Sequence, residues 1–411
     1  MDKAKIIAET TTTYGKLEKI LQDALKTKAV FGANCSDKVI GQLQGFMARI
    51  IQVQLEWSGE EAGRKEKLPS SVVLKIPSMK KLDDIPFEEM KKLVADSGAQ
   101  DAMGDLQIWA HNSECGFYRW ARGQERRLKV PICYHAEDAD SAKKVEGLMV
   151  LEDLSTKGYL KPLCATIDLP LLKEVIAAQA AFQAYSLHDS QWRSKTCMTF
   201  ADLMSSNADM MNNMWTMVVQ LMKTAFAPIL GPYADRVEKY LKMDVLREGE
   251  KKVESLGLPQ VLVHGDFWLP NVMVTKDDSG QEKLLALLDW QVTHPGTTAE
   301  DTVRFMASAL DTNMRREQTA PMLRHYHECF AKECAALGID PVPITLEQVL
   351  EAFRAQFTYG AIPLAVGGPM LAAQDAMLGD DPEKNRQHAL ESSKGLLDDI
   401  FAHEDGTRHP C

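Results

Sequence analysis

Between Val261 and Gln291 the chain reads Val-Leu-Val-His-Gly-Asp-Phe-Trp-Leu-Pro-Asn-Val-Met-Val-Thr, then a polar Lys-Asp-Asp-Ser-Gly-Gln-Glu-Lys segment, then Leu-Leu-Ala-Leu-Leu-Asp-Trp-Gln. Two short apolar runs, Val272 to Val274 and Leu284 to Leu288, flank a turn containing Asp278, Ser279 and Gly280, which predicts a β-hairpin. A hairpin folds its ends together, so Asp266, Asn271 and Asp289 are expected to converge. Two carboxylates and an amide oxygen in one place suit a hard cation such as magnesium, which takes oxygen ligands and keeps some water.

The spacing narrows the chemistry. An Asp followed five residues later by Asn is the arrangement of a kinase catalytic loop, where the Asp receives the hydroxyl proton and the Asn holds metal. Asp-Asn pairs usually only make turns. The His264-Gly265 prefix, the apolar runs and Asp289 after the hairpin set this stretch apart. His264-Gly265-Asp266 with Asn271, then Asp289-Trp290-Gln291, resembles the choline-kinase-like and aminoglycoside-phosphotransferase-like small-molecule kinases, and most of all their ecdysteroid-kinase-like branch of insects and nematodes. The resemblance implies an α+β, bilobal, protein-kinase-like fold. A small β-rich nucleotide-binding lobe would take residues 1–152, and a large, mostly helical catalytic and acceptor-binding lobe residues 153–411. It also implies ATP and magnesium as cofactors and transfer of the γ-phosphate to a hydroxyl of a small molecule. Asp266 would orient or deprotonate that hydroxyl, with His264 shaping the loop beside it, and Asn271 and Asp289 would hold magnesium.

The rest of the pattern appears in the expected order. Leu17, Ile20, Leu21, Ala24 and Leu25 follow helical spacing. Val39 to Arg49 then reads as strand, turn and strand, with Gly41 and Gly45 offering backbone N–H groups to phosphates; alone, such a turn is ordinary. Lys75 lies in the β-branched run Ser71 to Pro77, similar to the phosphate-pairing lysine of kinases, although an edge-strand lysine looks the same. Leu106 to Ala121 reads as a helix carrying Glu114, the carboxylate that a buried phosphate-binding lysine needs. Two more strands, Pro131 to His135 and Gly147 to Leu151, lead into Glu152-Asp153-Leu154-Ser155, which resembles the family's adenine hinge. Beyond it the pattern turns helical over Pro170 to Leu187, Ser205 to Lys223 and Met322 to His403. By the same resemblance Asp301 is structural, capping or bracing the Asp289 segment.

Composition excludes several classes. With 47 basic and 58 acidic residues among 411 the net charge is −11, which argues against nucleic acid as a partner. Eight scattered cysteines without a Cys-x-x-Cys pair fit a reducing cytoplasm better than a disulfide framework. His325, His327, Cys329 and Cys334 lie in a helical segment without a second ligand pair and read as ordinary helix residues. No apolar signal core opens the chain. The longest uncharged run, Ala355 to Gln374, is expected to be broken by Gly360, Pro363, Gly367, Gly368 and Pro369, so no membrane span is expected.

The acceptor is the open question. Tyr359, Ile362, Leu364 and Met370 suit an apolar or steroid-like alcohol. An ammonium acceptor would want acidic or aromatic groups, for which Trp268 and Trp290 are candidates that packing explains equally well. The alternative function is a catalytically silent, kinase-like ligand-binding or regulatory protein, and a lost site residue would be its sign. None of the set is missing. A protein kinase is a poorer match, since His-Gly-Asp and Asp-Trp-Gln replace His-Arg-Asp and Asp-Phe-Gly.

Overall fold

The computed structural model describes residues 1–8, 10–40, 48–59, 68–77, 100–162, 165–194, 208–372, 378 and 381–411. They form two compact units, Met1–Arg126 with Val130–Lys157, and Arg127–Lys129 with Gly158–Cys411. The first is rich in sheet and the second mostly helical, as expected for an α+β chain with a small β-rich N-terminal part.

The first unit is built on a five-stranded antiparallel sheet in the order Ser36–Ile40, Ala48–Gln54, Ser71–Pro77, Leu148–Glu152, Cys133–Glu137. Side chains alternate between the faces of a strand. On the central Ser71–Pro77 strand, Val72, Leu74 and Ile76 therefore join one core with Ile51, Val53, Leu148 and Val150. The Tyr14–Leu25 helix closes that core with Tyr14, Leu17 and Leu21, its N-terminus capped by the Thr13 hydroxyl accepting from Lys16 N–H. Lys75, one residue out of phase, takes the opposite face, where it meets the Gln100–Ala121 helix.

In the second unit the Leu169–His188 helix is apolar nearly all round and buried, with Asp168 capping it through Leu171 N–H. Beside it lies the expected hairpin, Val272–Lys276 paired with Glu282–Leu287, with a bulge between Met273 and Val274. The Asp277 carboxylate fixes the turn by accepting from Ser279 and Gln281 N–H. Val261–Val263 pairs antiparallel with His294–Gly296, so the residues just before and just after the hairpin are brought side by side. The unit also holds the helices Ala208–Lys223 and Met243–Glu254 and, after the hairpin, Thr298–Ala309, Thr312–Ala336, Leu346–Ala372 and Pro382–Glu404.

One expectation fails. The uncharged run is not broken at Gly360, Pro363, Gly367 and Gly368, because a single helix spans Leu346–Ala372. Two of its glycines are used for close packing: a Cβ on Gly360 would come 2.9 Å from Val303 Cγ1, and one on Gly368 would strike Ser393. Burial between neighbouring helices outweighs the poor intrinsic propensity of these residues. No described helix is long and apolar enough to cross a membrane.

Candidate active site

The site is assembled around the turn that follows Val261–Val263. Pro270 opens a short 3-10 turn, Leu269–Asn271, which swings Asn271 back beneath Asp266. Both hydrogens of the Asn271 amide are used there: Nδ2 donates to the Asp266 carbonyl at 2.8 Å and to Asp266 Oδ2 at 2.9 Å. The amide oxygen consequently points the other way, as a free-standing acceptor direction. The Asn271 carbonyl accepts from Leu288 N–H at 2.9 Å, which places Asp289 next to the same turn.

His264 is the staple of this arrangement. It is fully buried, its Nε2–H donates to the Leu288 carbonyl at 3.0 Å, and its Nδ1 accepts from Asp266 N–H at 3.3 Å. Those partners fix the neutral tautomer, since one can only accept and the other only donate. Burial pushes the imidazole pKa down to about 4 against the pull of Asp266 and Asp289. The ring lies 4.3 Å from that of Trp290, which is itself fully buried against Phe182. His264 thus shapes the loop and is sealed from any proton donor in solution. An unfolded histidine protonates near 6.5 and this one near 4, so the unfolded state binds more protons between those values. Stability contributed here is present above pH 6.5 and lost as pH falls toward 4, by about 3 kcal/mol in full. Urea midpoints from pH 6.5 to 4.5 should therefore fall more steeply in the wild type than in His264→Gln.

Two backbone positions of the site adopt a left-handed φ. Gly265 has φ +78°, and a Cβ there would sit 2.5 Å from the Val292 carbonyl and 3.0 Å from the His294 ring. Asp289 has φ +66°, a left-handed conformation in which Asp is better tolerated than most residues. Gln291 Nε2 donates to Asp289 Oδ2 at 3.3 Å.

The Thr298–Ala309 helix holds the loop from below. Asp301 is fully buried, and its two oxygens accept from His264 N–H at 2.8 Å and Gly265 N–H at 3.0 Å. Burial raises its carboxyl pKa to about 7 while those two bonds favour the ionised form. Asp301 therefore braces the Asp266 loop rather than the Asp289 segment that the sequence suggested. One turn further on, Arg304 Nη2 donates to Asp266 Oδ1 at 2.6 Å. Sequence reading missed Arg304. The available signal was a cation set between the apolar Val303, Phe305 and Met306, which needs a partner to be held there.

In the first unit Lys75 Nζ lies 2.6 Å from Glu114 Oε2, with side-chain exposures of only 11% and 1%. The carboxylate of Glu152 accepts from Ile132 N–H at 3.2 Å and pairs with Lys157. Gly41 and Gly45 lie outside the described residues. Of the residues suggested for an apolar acceptor wall, Ile362 is fully buried in the helical core.

Among the described residues no three His, Cys, Asp or Glu side chains group as a metal cage. Magnesium needs no such cage, because it commonly uses one or two carboxylates together with phosphates and water. Asn271 and Asp289, linked through the Leu288 N–H bond to the Asn271 carbonyl, carry the oxygen donor types that this mode uses.

A family model described as "Uncharacterized oxidoreductase dhs-27" (DUF1679) matches residues 1–407. The chain belongs to this DUF1679 family. Two Caenorhabditis elegans proteins are among the relatives of the chain. The chain is 26% identical over 360 residues to "Uncharacterized oxidoreductase dhs-27", covering 86% of this chain but only 41% of that protein. It is 23% identical over 378 residues to "Uncharacterized kinase-like protein D1044.1", covering 89% of this chain and 93% of the relative. Among solved structures, a Plasmodium vivax ethanolamine kinase is similar at 14% identity and TM-score 0.41, covering 95% of this chain and 91% of its own. A GDP complex of aminoglycoside 2'-phosphotransferase-IIIa is similar at 11% identity and TM-score 0.45, covering 96% and 99%.

Proposed function

We propose that this DUF1679 protein is an ATP- and magnesium-dependent phosphotransferase acting on a hydroxyl of a small molecule. The observation that carries the reading is Asp266, gripped on one oxygen by Asn271 and on the other by Arg304, beside an Asp289 held in a left-handed conformation. In the proposed reaction the acceptor oxygen bonds to the γ-phosphorus as the bond to the β,γ-bridging oxygen breaks. ADP leaves and the hydroxyl proton passes to the Asp266 carboxylate. Phosphoryl transfer needs alignment and charge neutralisation more than covalent chemistry. Asn271 and Asp289 would hold magnesium, which supplies positive charge against the phosphate oxygens. Lys75, kept extended by Glu114, would take a phosphate oxygen. Glu152 would mark the adenine-side backbone, and Gly41 and Gly45 a phosphate-facing turn.

An oxidoreductase reading has less support. It comes from the name of a protein of which this chain matches 41%. A dinucleotide-binding fingerprint requires Gly-x-Gly after a strand of a parallel sheet. No two of the 25 glycines stand two positions apart, and the described strand pairs are antiparallel. We also place the protein in a reducing cytoplasm, with the six described cysteines all free in support. For the acceptor we propose an alcohol with an apolar body, a reading supported by the uncharged stretch that carries Tyr359, Leu364 and Met370. The test is ADP formation from magnesium-ATP with a panel of small alcohols. Acceptor-stimulated ADP and a phosphorylated alcohol by mass are expected, and ATP left unchanged under all conditions would refute the reading.

A further inference from the structure

We infer that Arg304 sets the charge at the acceptor end of this site, so that the alcohol served is neutral or anionic rather than an ammonium alcohol. This rests on the phosphotransferase reading above. One helix anchors three successive loop residues: Asp301 takes the N–H groups of His264 and Gly265, and Arg304, on the same helix face one turn later, takes the side chain of Asp266. Side-chain exposures of 29% for Arg304 and 20% for Asp266 leave both within reach of a small molecule. A carboxylate has about four lone-pair sites. Arg304 and Asn271 use two of them, so a hydroxyl can still donate to Asp266.

The pairing has a consequence for charge. With the guanidinium on its Oδ1, Asp266 presents an ion pair and not a net negative charge. An ammonium group brought beside the reacting hydroxyl would lose hydration, and repulsion from Arg304 would offset its attraction to Asp266. Aromatic faces offer the other way to hold such a cation. Of the two candidate tryptophans, Trp290, next to Asp289, is fully buried under His264 and Phe182, and Trp268 is half-buried. Conversely, the exposed part of the Arg304 guanidinium can donate to an oxygen on the carbon next to the reacting hydroxyl, and a carboxylate there would accept with charge assistance. Arg304 is thus a positioning residue for Asp266 and a selector of acceptor charge.

Three two-carbon alcohols isolate this property: ethanolamine, ethylene glycol and glycolate differ in the group beside the hydroxyl and in little else. Magnesium-ATP turnover with each, and with water alone, would be measured in the wild type, Arg304→Gln and Arg304→Lys, with thermal melts confirming folding. The wild type should favour glycolate or ethylene glycol over ethanolamine. Arg304→Gln should move the glycolate-to-ethanolamine ratio toward ethanolamine at least about tenfold, and Arg304→Lys should retain the wild-type order. An unchanged ratio in Arg304→Gln, or a wild type that prefers ethanolamine, overturns the inference while leaving the phosphotransferase reading intact. Absence of any ATP turnover in the wild type overturns both.

Discussion

Replacement of Asp266 by asparagine is expected to lower phosphate transfer by about 10²–10⁴-fold, the range for loss of a positioned general base, and to leave magnesium-ATP binding close to the wild-type level. Asparagine keeps the shape but carries only one acceptor oxygen. It can satisfy either the Asn271 amide or the Arg304 guanidinium, which hold opposite oxygens of Asp266 at 2.9 and 2.6 Å. One bond is therefore lost, and a fold cost of about 1–3 kcal/mol accompanies the catalytic defect. The two effects separate experimentally. Thermal melts report the modest destabilisation, ADP formation reports the large loss, and an ATP-dependent melting shift reports binding. Turnover within a few-fold of wild type would remove Asp266 from the proton-accepting role.

Glu114→Ala should destabilise the first unit by about 3–5 kcal/mol, the cost of stripping the counter-charge from a buried ion pair. Lys75 is 9% exposed and its ammonium lies 2.6 Å from Glu114, on the sheet face opposite the Tyr14–Leu25 core. Without the carboxylate the lysine loses a counter-charge 2.6 Å away inside the helix–sheet interface. Glu114→Gln, which keeps the volume and can still accept from the ammonium, should cost less. Chemical denaturation of both variants checks this ordering. Equal midpoints for wild type and Glu114→Ala would show the pair to be energetically idle.

Much of this architecture was legible before any coordinates. The hairpin was readable because two short apolar runs flank an Asp-Ser-Gly turn, and those signals are local. Lys75 and Glu114 were readable from their order in a kinase-like pattern, in which a buried phosphate-facing lysine needs a carboxylate to hold it charged. Three features were not legible. The continuity of the Leu346–Ala372 helix depends on Val303 and Ser393 pressing against its glycines, a tertiary effect that overrides propensity. The target of Asp301 was misjudged because its backbone partners, His264 and Gly265, lie far back in the sequence. Arg304 was overlooked since one arginine in a helix looks like a solvated surface residue until its partner is seen. Trp290 shows the reverse case: an aromatic that looked available for an ammonium turns out to be core beneath the His264 staple.

The central claim, a nucleotide site that depends on a magnesium-holding Asp289, is tested most directly by melting curves of wild type and Asp289→Asn titrated with ATP, with and without magnesium. Asparagine tolerates the left-handed φ of +66° nearly as well as aspartate, so the variant removes charge and spares the backbone. At 100 times its Kd a ligand adds about 2.7 kcal/mol, enough to raise the melting temperature by several degrees. The account predicts a magnesium-dependent rise in the wild type that disappears in Asp289→Asn. A rise of equal size without magnesium or in the variant, or no rise at millimolar ATP, would contradict it.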